Sequence, residues 1–294
     1  MNVVYRNFAD AYQRVLCQLC YKPEYVSAYN GYEVNENINW VFKVPNSRWN
    51  LFDNEIRSPQ IEFICKKLIW YLDGNPNVYE IERIAGVFAE TNPGTSELNS
   101  NYGHLAFRKK VYDKYNNWSF SQYYWAFKSL KEDRDSKNAI IHFSATADCQ
   151  YFGVKDFVKA LNATFFIKEN KLHITVVMRM EDVIFDLPGD FVWFSILQQQ
   201  MLSHLKQIYP ELELGIYTHI VGSLSLQGKQ FSLAKEMLRH NFYGCRLPSL
   251  KEDLVTMLGD PTQITKQLIW DVYNDCEVVY NDTLAQAIFN GATQ

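Results

Sequence analysis

Two apolar, alternating runs, Leu161–Ile167 and Leu172–Met178, flank the polar pair Glu169-Asn170. Alternation with a period of two cannot be satisfied by a helix, so this stretch predicts a β-hairpin buried on at least one face. Along its second strand, His173, Thr175, Val177 and Arg179 share one face, and Leu172, Ile174, Val176 and Met178 share the other. Arg179 is expected to end the strand beside a cavity. Asp182 follows, then a turn at Asp186-Leu187-Pro188-Gly189-Asp190, then a helix from Phe191 to about Ile208 with apolar residues at helical spacing. Strand end, loop and helix start thus converge, and the hairpin forms the centre of the core.

Composition narrows the class. The chain has 294 residues, 47% of them hydrophobic, and a formal net charge of −4. It can bury a large core and has no basic excess for general nucleic-acid binding. No apolar run approaches the roughly 20 residues that cross a membrane, and the start MNVVYRNFADAYQRVL lacks a secretory signal pattern. A cytoplasmic protein of one domain, residues 1–294, with neither nucleic-acid nor membrane partners, is expected. The six cysteines are scattered, as suits reduced thiols. Cys17 and Cys20 form a C-x-x-C inside a helical pattern without a second pair, which fits helix packing better than metal or redox chemistry. No metal is expected.

In chain order, residues 4–20 read as an amphipathic helix, followed by an Asn- and Tyr-rich loop to about Asn37 and a short strand, Asn39–Val44. Ser58-Pro59 start a helix, as N-cap and first turn, that runs to Gly74. A second helix is expected over 76–90, then the turn-rich loop NPGTSELNSNYG, a helix over 121–131 and a strand over 139–143. In GIYTHIVGSLSLQ, alternation puts His219, Val221, Ser223, Ser225 and Gln227 on one face and Ile220, Leu224 and Leu226 on the other. Helices are expected at about 231–240, at 249–258 with a capping box from Ser249 to Glu252, and at about 261–273.

The order of these features resembles a family, the thymidylate synthases and, more closely, the deoxycytidylate hydroxymethylases. KKLIWYLDGN, Asn101-Tyr102-Gly103, the hairpin, Arg179, the Leu187-Pro188 turn and Asp190 carry the resemblance, over roughly residues 57–227. It implies an α+β fold: a large mixed sheet with helices on one face and a homodimer built on the other. It also implies that Arg179 holds a phosphate, that Asp190 reads the pyrimidine and that Asp182 lies near a folate pterin. Tyr102 then belongs to the site motif, Ser225 and Gln227 replace a His and a Tyr that hold the sugar hydroxyl, and Lys137 keeps one charge of an arginine pair that reaches the neighbouring subunit's phosphate.

Two positions depart from the family. Laid over its frame, Lys159 stands where the nucleophilic cysteine belongs and Lys67 where a glutamate serves as acid–base group. The family reaction needs a thiolate to add to pyrimidine C6, and an amine is largely protonated at neutral pH. The two substitutions remove nucleophile and acid together. Cys149 is a displaced candidate ten residues before Lys159. Two functions follow. One is a silent family member that binds a pyrimidine nucleotide, of cytidine type because an Asp can accept from the exocyclic amine, as a homodimer or paired with an active paralogue. The other is a cytidylate-modifying transferase with altered chemistry using Lys159 or Cys149, and only this one calls for methylenetetrahydrofolate. Beside these roles stand plainer ones: a solvated helix residue for Lys67, a structural ion pair with Glu181 or Asp182 for Arg179, a turn cap for Asp182 and a helix N-cap for Asp190.

Overall fold

The computed structural model describes residues 3–29, 31–57, 61–85, 94–113, 115, 118–144 and 155–246. In chain order these hold β1 (Val3–Val4), α1 (Phe8–Tyr21), β2 (Tyr25–Tyr29), β3 (Tyr32–Val44), β4 (Leu51–Asp53), α2 (Ile61–Asp73) and α3 (Val78–Ala85). A widened helical turn at His104–Arg108 precedes β5 (Lys110–Asp113), β6 (Trp118–Ser121), α4 (Gln122–Glu132) and β7 (Ile140–His142). Then come β8 (Ala160–Lys168), β9 (Lys171–Asp182), α5 (Leu187–Lys206), β10 (Glu213–Gln227), a short 3-10 turn at Gly228–Gln230, α6 (Phe231–Met237) and β11 (Tyr243–Cys245). None of the described helices is long and apolar enough to cross a membrane.

The expected hairpin is β8–β9. Its antiparallel strands join through Glu169 and Asn170, both at positive φ (49° and 61°), the turn handedness that matches strand twist. Leu172, Ile174, Val176 and Met178 are fully buried, as the alternation requires. A mixed sheet runs in the order β1-β3-β10-β9-β8-β7, with β2 also on β3. The neighbours β9 and β10 are parallel, and β3–β10 and β8–β9 antiparallel. The α+β class with a large mixed sheet therefore stands. Helices α1, α4 and α5 pack on the inner face. Phe191 of α5 ties that layer together, stacking on Phe8 at 4.2 Å and lying 4.5 Å from Tyr217 and 6.0 Å from Phe42.

The alternation fails at one level of the sheet, on three strands at once. In β10, Tyr217, His219 and Val221 point inward, but so do Leu224 and Leu226, which shifts the phase at Gly222-Ser223. On β9 Met178 is buried, Arg179 and Met180 are half-buried, and Glu181 is buried again. On β3 the inward set passes from Phe42 to Asn37 and Asn35 across Asn39, which has a φ of 53°. The registers place Asn39, Gly222 and Arg179 side by side. A Cβ on Gly222 would sit 2.7 Å from the Arg179 carbonyl oxygen, so glycine is needed where the kinked backbones approach. Ser223, Ser225 and Gln227 consequently do not share a face with His219 and Val221 as expected, and Arg179 does not end its strand, which runs on to Asp182.

Other expectations change too. The Asn- and Tyr-rich loop is a hairpin, β2–β3, turning at Gly31 with φ of 80°. The first helix starts at Phe8, capped by Asn7, whose side chain accepts from the Asp10 amide. The residues read as a turn at 186–190 are the entry and first turn of α5, which begins at Leu187 with Pro188 next, so Asp190 lies inside the helix and does not cap it. Pro suits a first helical turn, and hydrophobic burial carries the helix straight through Gly189. Asn101-Tyr102-Gly103 leads into the widened turn before its strand. The Ser58-Pro59 helix start, Cys149, the end of the 76–90 helix and the two helices after residue 248 lie outside the described residues.

Gly103 meets the C-terminal part of α2: a Cβ there would fall 1.4 Å from the Tyr71 carbonyl oxygen. Backbone cannot yield as a flexible side chain would, so Gly103→Ala is expected to cost about 3 kcal/mol or more, read as a lower midpoint in urea unfolding.

Candidate functional site

The kink turns the end of β9 toward the start of α5, and the charged groups gather there. Lys159 lies across from Arg179, whose amide donates to the Lys159 carbonyl at 2.7 Å. The Lys159 Nζ donates to Asp186 Oδ1 at 2.6 Å. Asp186 Oδ2 in turn accepts from the Asp182 amide at 2.8 Å. Asp182 Oδ1 accepts from the amides of Ile184 and Phe185 at 2.8 and 2.9 Å, which makes it the cap of this turn, while its Oδ2 is buried without a partner. Burial outweighs those amide bonds and pushes the Asp182 carboxyl above its ordinary range.

From the other side comes α2. Its apolar stripe buries Leu68, Trp70 and Tyr71, and the same turn projects Lys67 inward to 3.6 Å from Asp190 Oδ1. Asp190 is 2% exposed, and Oδ1 accepts no hydrogen bond. Its place in the first turn of α5 favours a negative charge, yet desolvation raises its pKa, with Asp186 adding to the rise and Lys67 and Lys159 opposing it. Burial works against the Lys67 charge, but Tyr71, Asp190 and Asp186 together overcome it and hold the ammonium protonated more firmly than an ordinary lysine. Lys67 is therefore no solvated helix residue. Tyr102 is buried and stacks on Tyr71 at 5.1 Å. Desolvation above all, and the nearby Asp190, raise its phenol pKa. Beside Lys67 and Tyr71, at Gly189, a recess keeps about 10 Å3 clear, about the room of one water.

Arg179 lies apart from these pairs. Its guanidinium sits over the Phe157 ring at 4.5 Å with Nε buried and unpartnered. Glu181 and Asp182, its nearest carboxylates along the chain, are engaged elsewhere, and among the described residues no carboxylate pairs with Arg179. The Ser225 Oγ donates to the Glu181 carbonyl at 3.3 Å, and the Gln227 side chain caps the 3-10 turn that follows it. Lys137 is exposed in the turn between α4 and β7, away from the cluster.

The structure thus brings Lys67, Lys159, Asp182, Asp190 and Tyr102 together, with Arg179 at the edge, and leaves Lys137 outside. It adds Asp186 and a group that strand alternation hid. Glu181 Oε2 and His219 Nε2 are 2.9 Å apart, and His219 Nδ1 is 2.9 Å from the Tyr217 hydroxyl, all fully buried. Desolvation pushes the Glu181 carboxyl up to about 7 against the pull of His219. An Asp one residue before Leu187-Pro188 was the available signal for Asp186. Glu181 gave none, since strict alternation puts it beside Arg179 on the outer face.

A central mixed sheet with one long buried helix over it and a charged cluster at that helix's start defines the class. The fold is that of the thymidylate synthases: thermostable thymidylate synthase A from Bacillus subtilis superposes with a TM-score of 0.69 at 15% identity, covering 88% of this chain and 92% of that one. The thymidylate synthase family model matches residues 42–271, and the chain belongs to that family. Among curated relatives it is 25% identical over 178 residues to deoxycytidylate 5-hydroxymethyltransferase of Enterobacteria phage T6, across 58% of this chain and 69% of that protein. The phage T4 protein of the same name is 24% identical over the same shares.

Removing one member of a buried ion pair strands the other. Lys67→Met should cost about 3 kcal/mol in chemical denaturation, and Lys67→Met combined with Asp190→Asn should recover most of it.

Proposed function

We propose that this chain binds a pyrimidine nucleotide of cytidine type and does not carry out the family's chemistry at C5. The observation that carries this reading is the pairing of both substituted positions: Lys159 is held by Asp186 at 2.6 Å and Lys67 faces Asp190 at 3.6 Å. An ammonium bound to a carboxylate has no free lone pair to add to C6, and a lysine held protonated is a poor substitute for a carboxyl that must give and regain a proton. Binding groups remain. Arg179 keeps hydrogen-bonding capacity for a phosphate, and Asp190 keeps an unfilled acceptor that suits an exocyclic amine. Ser225, Gln227 and Tyr102 would flank the sugar and base. The relatedness to deoxycytidylate hydroxymethyltransferases favours cytosine over uracil.

The half-buried outer sheet face, with Thr164, Phe166, Val177 and Ile220, is where a second copy or an active paralogue would join, bringing Lys137 to the neighbouring phosphate. Methylenetetrahydrofolate, a one-carbon donor, belongs to the transferase reading alone. There Asp182, with its unpartnered Oδ2, would hold the pterin.

Calorimetric titration with dCMP, CMP, dUMP and folate tests the proposal. A cytidine nucleotide should bind, Arg179→Ala should weaken it by about 10- to 100-fold, and Asp190→Asn should shift preference toward dUMP. Silence with every nucleotide overturns the reading. Tritium release from C5 of labelled dCMP should be absent, and release that disappears in Lys159→Ala would establish the transferase instead.

A further inference from the structure

Around the start of α5, Lys159 pairs with Asp186 and Lys67 faces Asp190, and a third carboxyl, Glu181, lies fully buried beside them. The lysines are taken by the two aspartates, and Glu181 has only His219. Glu181, His219 and Tyr217 are fully buried and joined in a line by contacts of 2.9 Å, with Glu181 Oε1 left unpartnered. A core that needed only packing would place an apolar side chain here, because a buried carboxyl without a cation costs more than it returns.

We infer that the Glu181–His219 pair takes up a proton when an anionic nucleotide binds, so that affinity at this site is linked to pH. The inference rests on the nucleotide-binding reading above. Glu181 lies two residues along β9 from Arg179, the phosphate candidate. The groups that face it are His219 and Tyr217 from β10, Asp186 and Asp190 from the entry to α5, and Tyr102. Lys67 and Lys159 act on Asp190, one of those aspartates. Tyr217 and Tyr102 are neutral and Asp186 and Asp190 are carboxyls, so a phosphate brought to Arg179, two residues away along the strand, adds a further negative charge near a carboxyl already raised to about 7. A proton on the pair relieves that repulsion. The bound state then holds more protons than the free state above neutrality, and linkage requires affinity to be full below about pH 7 and to fall as pH rises. The nucleotide's own second phosphate ionisation, near pH 6, lies below that window.

Glu181 is a positioning residue in this scheme, and its signature is a pH slope. Titrating dCMP at about pH 6.5 and about pH 8.5, each in two buffers of different ionisation enthalpy, should show buffer-dependent heats from proton uptake and an affinity loss of up to about tenfold per pH unit. Glu181→Gln, a permanently uncharged mimic of the protonated carboxyl, should abolish both the slope and the buffer dependence. His219→Asn is the second variant if the first does not fold, and should flatten or displace the same slope. Binding that is indifferent to pH and buffer in the unaltered protein overturns this inference alone. So does a slope that survives in a folded Glu181→Gln. Absence of dCMP binding at every pH overturns the nucleotide reading itself, and this inference with it.

Discussion

The site depends on a backbone constraint. Asn39, Gly222 and Arg179 lie side by side where three adjacent strands break their alternation together, and the approach of Gly222 to the Arg179 carbonyl leaves no room for a side chain. A single irregular strand in a regular sheet would forfeit ladder hydrogen bonds on both sides, whereas three that shift in step keep their pairing. The consequence is chemical. Above the break Leu172, Ile174, Val176 and Met178 fill the apolar core, and below it the inward direction is given to Glu181, which brings a carboxyl to the start of α5.

At that start, burial and charge compete on nearly equal terms. Asp190 has a helix N-terminus behind it and Lys67 in front of it, yet desolvation still raises its pKa. Lys67 shows the opposite balance: its neighbours outweigh its burial. Such pairs are costly to bury and costlier to break, which makes the cluster a self-consistent unit. Lysine at 159 is matched by aspartate at 186, and lysine at 67 by aspartate at 190.

Much of this was legible from residue order. The hairpin, its polar turn, the buried face of β9, the long apolar helix and the meeting of the end of β9 with the start of that helix all follow from period-two and period-3.6 patterns, which depend on local geometry alone. The family resemblance singled out Lys67 and Lys159, positions that composition would pass over. Local pattern misleads where a distant partner decides the outcome. The hairpin β2–β3 exists because β3 pairs with β10, not because of its own Asn-rich sequence. The first turn of α5 reads as a loop because Pro and Gly lie in it, but packing of Phe191 among Phe8, Phe42 and Tyr217 fixes the helix. Strict alternation puts Ser225 and Gln227 on the wrong face because it takes no account of the kink at Gly222-Ser223.

The sequence by itself determined the strand and helix periods, the family, and the lysines at 67 and 159 that its frame singles out, since each is carried by residue identity and spacing along one chain. Tertiary structure alone decided that Asp186 holds Lys159, that Lys67 turns inward to Asp190, and that Glu181 meets His219. These contacts join residues 27, 123 and 38 positions apart. Which of them meet depends on strand register, on the shared kink and on the desolvation that the assembled core imposes, and none of those exists until the chain has folded.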